Sequence, residues 1–108
     1  MPAVADPTAA YREANKLKAA GDLEGACEKL EASVADHPDH ALSHSALAVH
    51  LQRLGRNDQA VEHAKRVTEL EPDDPFSFSQ LSVVCQRCGL IQEAEDAMAK
   101  ARMIQMRG

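Results

Sequence analysis

Polar and apolar residues alternate nowhere along this chain in the manner of a strand. Apolar positions fall instead into slots that recur every 34 residues. Leu17, Leu51 and Cys85 share one slot, Ala20, Leu54 and Cys88 another, and Gly21, Gly55 and Gly89 a third. Each of these glycines is followed five residues later by an alanine, Ala26, Ala60 and Ala94, and Pro38 and Pro72 repeat the interval. The pairs Asp6-Pro7 and Asp74-Pro75 stand two intervals apart. A fixed period of this length marks a repeat architecture. Residues 7–108 divide into three units, 7–40, 41–74 and 75–108, behind a short leader of residues 1–6.

Each unit reads as two helices joined by a tight turn. The glycine ends the first helix in the left-handed conformation, and the proline closes the second. Asp6 and Asp74 put a side-chain acceptor at an N-cap, while Pro7 and Pro75 take the first helical position, where a missing N–H costs no backbone bond. Asp22 and Asn57 are placed to cap second helices in the same way. The pattern predicts first helices over about 7–20, 40–54 and 75–88, and second helices over about 23–36, 57–70 and 91–105.

These residues resemble the tetratricopeptide repeats. The period, the small residue at the eighth place of each unit (Ala14, Ala48, Ser82), the glycine at the fifteenth, the alanine at the twentieth and the proline at the thirty-second (Pro38, Pro72) all fit that pattern. The likeness spans 102 of the 108 residues, with departures at the bulky fourth place (Ala10, His44, Phe78) and at Met106, where proline is usual. It implies an all-α fold: a right-handed α-solenoid of three helix-turn-helix repeats, six helices in all, forming a single domain over 7–108. It also implies a protein-binding adaptor or scaffold and not an enzyme.

Composition narrows the range of partners. With 44% hydrophobic and 27% charged residues the chain has the make-up of one globular domain. Seventeen acidic against twelve basic residues leave a net charge of −5, which disfavours a nucleic-acid backbone. The opening MPAVADPTAAYREANK has no basic segment leading into an apolar run, and no stretch reaches the roughly 20 apolar residues of a bilayer span. We therefore expect a cytoplasmic protein that engages neither nucleic acid nor membrane. Charge is also sorted by helix. The first helices carry Arg12, Lys16, Lys18, Arg53 and Arg87 against Glu13 alone, whereas the second helices hold ten acids against five bases.

In the family this chain resembles, first helices line a concave groove, and the ligand-facing places are the second, fifth, ninth, twelfth and thirteenth of each unit. That implies a peptide-binding groove of Tyr11, Asn15, Lys18, Leu42, Val49, Gln52, Arg53, Phe76, Val83, Gln86 and Arg87. Leu42, Val49, Phe76, Val83 and Tyr11 would bury apolar side chains of an extended peptide. Lys18, Arg53 and Arg87 would pair with acidic residues or a terminal carboxylate, the arginines through two parallel hydrogen bonds. The expected partner is a short apolar and acidic peptide segment of another protein. One subset of the family grips the C-terminal Glu-Glu-Val-Asp of chaperones with basic and amide residues. Of its places this chain keeps only Asn15; Tyr11, Ala46, Phe76 and Gln80 stand at the others, so that mode is not expected.

Candidate chemistry changes little. Cys85-x-x-Cys88 sits in two apolar slots at the end of a helix, not at the N-terminus that would lower a thiol pKa, and reads as packing. In HPDHALSH, His40 and His44 have the spacing of a metal pair, but the fourth place packs between helices and no anchored acid or cysteine joins them. Ser43, His44 and Ser45 point in different directions on a helix and cannot form a nucleophile and base. We expect no metal, no cofactor and no catalytic residue. Ile91, Met98, Ile104 and Met106 form an apolar strip on the last helix, which motivates an alternative: a self-associating structural module that assembles through this face as a homo-oligomer.

Overall fold

A computed structural model describes residues 6–107; residues 1–5, which make up most of the expected leader, and residue 108 lie outside the described residues. Six helices follow one another: α1 (Pro7–Ala19), α2 (Leu23–Asp36), α3 (Ala41–Arg53), α4 (Asn57–Leu70), α5 (Pro75–Arg87) and α6 (Ile91–Arg107). No strand is present among the described residues. The bounds agree with the spacing-based ranges to within two residues, because the punctuation sits where the backbone needs it.

The starts are set by side-chain caps. An Asp6 carboxylate oxygen accepts from the Thr8 N–H at 3.1 Å, Asp22 from Gly25 at 2.8 Å, and Asp74 from Phe76 at 3.0 Å. Asn57 departs from expectation. It is the first residue of α4, and the cap place belongs to Arg56, which makes no capping bond. The physical reason is the turn: the residue directly after each turn glycine takes the cap, and that residue is Asp22 in the first unit but Arg56 in the second. The Arg56 side chain reaches across to Glu24 of α2 instead.

The first helices stop in one way three times over. Gly21, Gly55 and Gly89 have φ of 89°, 79° and 81°. In each turn the glycine N–H returns to the carbonyl three residues back (Lys18, Gln52, Gln86), and the next N–H to the carbonyl five back (Leu17, Leu51, Cys85), at 2.8–3.1 Å. This Schellman pattern satisfies the helix-end carbonyls and folds the second helix back on the first.

Helices α1 and α2, α3 and α4, and α5 and α6 form the tightly packed pairs; α2 packs on α3 and α4 on α5, and consecutive first helices touch. The stack measures 47 × 28 × 20 Å. At the eighth and twentieth places, Ala14, Ala26, Ala48 and Ala60 are fully buried. In the third pair the Ser82 hydroxyl donates to the Ala94 carbonyl at 2.7 Å, so that α5 and α6 meet at the same two places. Leu30, Leu47 and Leu51 supply the largest fully buried side chains of the core, with Cys27 and Cys85 among them. Between units, the Ser45 hydroxyl donates to Gln80 Oε1 at 2.9 Å and Gln80 Nε2 donates to the Ser45 carbonyl at 3.1 Å. Ion pairs also cross the junctions, such as Arg66 with Asp39, but their exposure limits each to about 1 kcal/mol or less.

A methyl group added at Gly55 would meet nothing within 4 Å, so the cost of Gly55→Ala is conformational alone. Holding an alanine in the left-handed region costs about 1–2 kcal/mol. Urea unfolding should register that loss, with a smaller one for Gly55→Asn. Equal stability of all three proteins would show that the turn does not hold the repeat together.

Candidate functional site

None of the eleven groove residues expected from the sequence is buried. Leu42 at the start of α3 is 52% exposed and Phe76 at the start of α5 is 78% exposed, although both are large and apolar. Val83 is exposed, while Tyr11, Val49 and Gln52 are half-buried. Leu42 and Phe76 share the wall of an open pocket of about 350 Å³ with Ala41, Ser45, Val67, Glu71, Asp74, Ser77 and Gln80. The reciprocal Ser45–Gln80 hydrogen bonds tie α3 to α5 beside it. Neither Glu71 nor Asp74 is among the eleven expected groove residues, because both belong to the link between α4 and α5 and not to a first helix; the sequence marks Asp74 only as the cap of α5. Among the described residues Glu71 enters no ion pair.

Lys18, Arg53 and Arg87 occupy the opposite, C-terminal ends of the first helices, and all three are exposed. None of them forms an ion pair among the described residues. His50 of α3 lies within electrostatic reach of Lys18 of α1 and Arg53 of α3. His50 is 4% exposed, and neither ring nitrogen has a hydrogen-bond partner among the described residues. Burial pushes the His50 pKa down, and the Lys18 and Arg53 charges push it further. Asn15, Gln86 and Arg87 stand exposed on α1 and α5; Gln86 also borders the open end of the stack.

The other polar clusters are occupied by the fold. His44 is buried. Because the Pro38 carbonyl can only accept, His44 Nε2 donates to it at 2.8 Å, which leaves His44 Nδ1 to accept from His63 Nδ1 at 2.9 Å. Burial lowers the His63 pKa, and the neighbouring His44 lowers it further. His40 Nδ1 pairs with the Ser43 hydroxyl at 2.7 Å. The thiols are equally committed: Cys27 and Cys85 are fully buried and Cys88 is partly buried. Burial pushes Cys27 up to about 11 and raises Cys85 and Cys88 as well, so the reactive thiolate is disfavoured at all three.

The apolar strip expected on the last helix is rearranged. Ala94, Ala97, Ala101 and Ile104 form the inward stripe of α6, spaced three and four residues apart, so Ile104 is 7% exposed and cannot serve an outer face. Met106 is 86% exposed, Ile91 is exposed, Met98 is half-buried, and Met103, absent from the sequence reading, is exposed as well. Ile91 and Met98 share a hollow of about 290 Å³ with Ser82, Gln86, Ala94 and Glu95.

A family model described as tetratricopeptide repeat matches residues 17–81. The curated small glutamine-rich tetratricopeptide repeat-containing protein 2 of Mycosarcoma maydis is 27% identical over 88 residues. The match covers 82% of this chain and 25% of that protein, so the chain spans about a quarter of the relative's length. Among solved structures, a crystal structure of MamA superposes with a TM-score of 0.85 at 17% identity, covering 97% of this chain and 61% of that one. The second TPR of Spaghetti (RPAP3), bound to the HSP90 peptide SRMEEVD, gives 0.81 at 15% identity and covers 94% of both chains. YrrB, a TPR protein with an unusual peptide-binding site, gives 0.81 at 20% identity, covering 94% of this chain and 52% of that one. At these identities the structural likeness is one of fold.

The buried groups make two expected outcomes measurable. A thiol-reactive chromophore should titrate Cys88 in the native protein, with Cys27 and Cys85 reacting only after denaturation; rapid native reaction at Cys85 would contradict its place in the core. His50 and His63 have pKa values in the fold that are pushed below the unfolded value of about 6.5. The unfolded chain therefore binds more protons as pH falls through that value. Stability present above about pH 6.5 is lost below it, by at most about 1.4 kcal/mol per pH unit for each group. Melting curves between pH 7.5 and 5 should show this slope, and His50→Leu should flatten it; an unchanged slope would mean that His50 is not held neutral.

Proposed function

The chain belongs to the tetratricopeptide repeat family, and on that premise we propose that it is a non-catalytic adaptor that binds a peptide segment of another protein in its concave groove. Residues 7–108 act as one domain of three repeats, 7–40, 41–74 and 75–108. The observation that carries this reading is the exposure, in repeat register, of apolar side chains that a folded domain otherwise buries: Leu42 and Phe76 at the second place, and Val83 at the ninth. Lys18 of α1, Arg53 of α3 and Arg87 of α5, none in an ion pair among the described residues, lie at the C-terminal ends of the first helices, which suits a ligand with acidic residues. The three free thiols suit a reducing cytoplasm.

The peptide-bound TPR of Spaghetti has nearly the same extent as this chain and carries SRMEEVD. A domain of this size is thus large enough to hold an extended peptide. SRMEEVD itself is a poor candidate here, because Tyr11, Ala46, Phe76 and Gln80 stand at places that hold basic or amide residues in the clamp of that family subset.

A second reading rests on the exposed Ile91, Met103 and Met106 of α6: self-association through the end of the stack. Light scattering during size exclusion separates the two. A monomer at all concentrations supports the groove, whereas an oligomer dissolved by Ile91→Asp/Met106→Asp supports assembly. The groove itself is tested by fluorescence anisotropy with an array of synthetic peptides mixing Leu, Phe or Val with Asp or Glu. Arg53→Glu/Arg87→Glu should weaken binding about a hundredfold, as expected for two charge-assisted contacts, and SRMEEVD should bind weakly to both proteins. Equal affinity of wild type and variant would overturn the basic end of the groove.

A further inference from the structure

We infer that the peptide ligand is bipolar, with a lysine or arginine beside its apolar anchor at the Leu42–Phe76 pocket and its acidic residues at the Arg53–Arg87 end. This deepens the groove reading and rests on it.

The apolar pocket is not electrically neutral. Glu71 and Asp74 both line it, and no basic side chain does. The Asp74 carboxylate accepts from the Phe76 N–H, which fixes it at the rim, within reach of whatever covers that ring. Glu71 has no cationic partner among the described residues. An acidic residue next to the apolar anchor would face two like charges, which is unfavourable, while a lysine or arginine would pair with them and lay its aliphatic stem on Phe76. The bases lie elsewhere. Leu42 is the second residue of α3 and Arg53 the last, eleven residues on, which is about 16 Å along a helix axis. An extended peptide advances about 3.3 Å per residue, so about five residues separate its basic and acidic parts. A uniformly acidic peptide would satisfy one end of the surface and be repelled at the other.

Selection from a displayed random dodecapeptide library tests this, with three folded baits compared by circular dichroism beforehand: wild type, Glu71→Gln/Asp74→Asn and Arg53→Glu/Arg87→Glu. Asparagine also caps helices, so α5 keeps its start, and Glu71→Gln alone serves as a further bait that leaves the cap untouched. Wild type should enrich Lys or Arg adjacent to Leu, Ile or Phe, with Asp or Glu about five residues away. The carboxylate variants should lose the basic enrichment about tenfold, the order set by one charge-assisted hydrogen bond, and keep the acidic one. The arginine variant should do the reverse. Acidic enrichment in wild type without basic enrichment would overturn bipolarity while leaving the groove reading standing. No enrichment with any bait would overturn both. Basic enrichment unchanged by Glu71→Gln/Asp74→Asn would also overturn the assignment, since the base would then be read elsewhere.

Discussion

Close approach of the two helices within each unit is the constraint on which the rest of this molecule depends. It is possible only where the eighth and twentieth places carry small side chains, and Ala14, Ala26, Ala48 and Ala60 are accordingly sealed from solvent. The third unit reaches the same geometry with a hydroxyl: Ser82 donates into the α6 backbone at Ala94. An intrahelical carbonyl can accept this second bond because it has two lone pairs. Paired helices this close need a turn that reverses the chain in very few residues, and the left-handed glycines supply it. No unit can bury its remaining apolar side in isolation, so stacking follows from pairing.

Stacking also explains where the chemistry of the surface lies. Once α1, α3 and α5 are set side by side, equivalent places come into line from one unit to the next. Leu42 and Phe76 thus meet around one pocket, while the charges of Lys18 and Arg53 both act on His50. The second helices carry most of the acidity, which accounts for a negative chain that nonetheless presents cations along its first helices. His50 bears the electrostatic cost of that arrangement: burial and then the Lys18 and Arg53 charges push its pKa down.

Much of the fold was legible because it is written in backbone chemistry. Glycine at a positive φ, aspartate at a cap and proline at a first helical position are local requirements, and they recur at a fixed interval. Helix bounds therefore followed to within two residues, and the assignment of Cys85 to the core followed from the apolar slot it shares with Leu17 and Leu51. What escaped were partnerships fixed only by three-dimensional distance. The His44–His63 pair spans 19 residues and the Ser45–Gln80 pair 35. Nothing in either local sequence signals them. Glu71 and Asp74 are absent from the expected groove because they lie in a linker, and only the fold lays that linker against the first helices. Ile104 departs from expectation for a different reason. Ile91, Met98, Ile104 and Met106 are all apolar, but the helical angle turns Ile104 inward with Ala97 and Ala101 and leaves Met103 outside. Asn57 carries a capping side chain, but the turn register assigns the cap place to Arg56.

The central claim is that the working surface is the face of the first helices and not the open end of the stack. Amide chemical-shift mapping of the isotope-labelled protein, titrated with a peptide that binds it, tests this most directly. On this account the perturbed amides cluster at Leu42, Val49, Arg53, Phe76, Val83 and Arg87. Perturbations confined to α6 around Ile91, Met103 and Met106, with those first-helix amides unmoved, would contradict it.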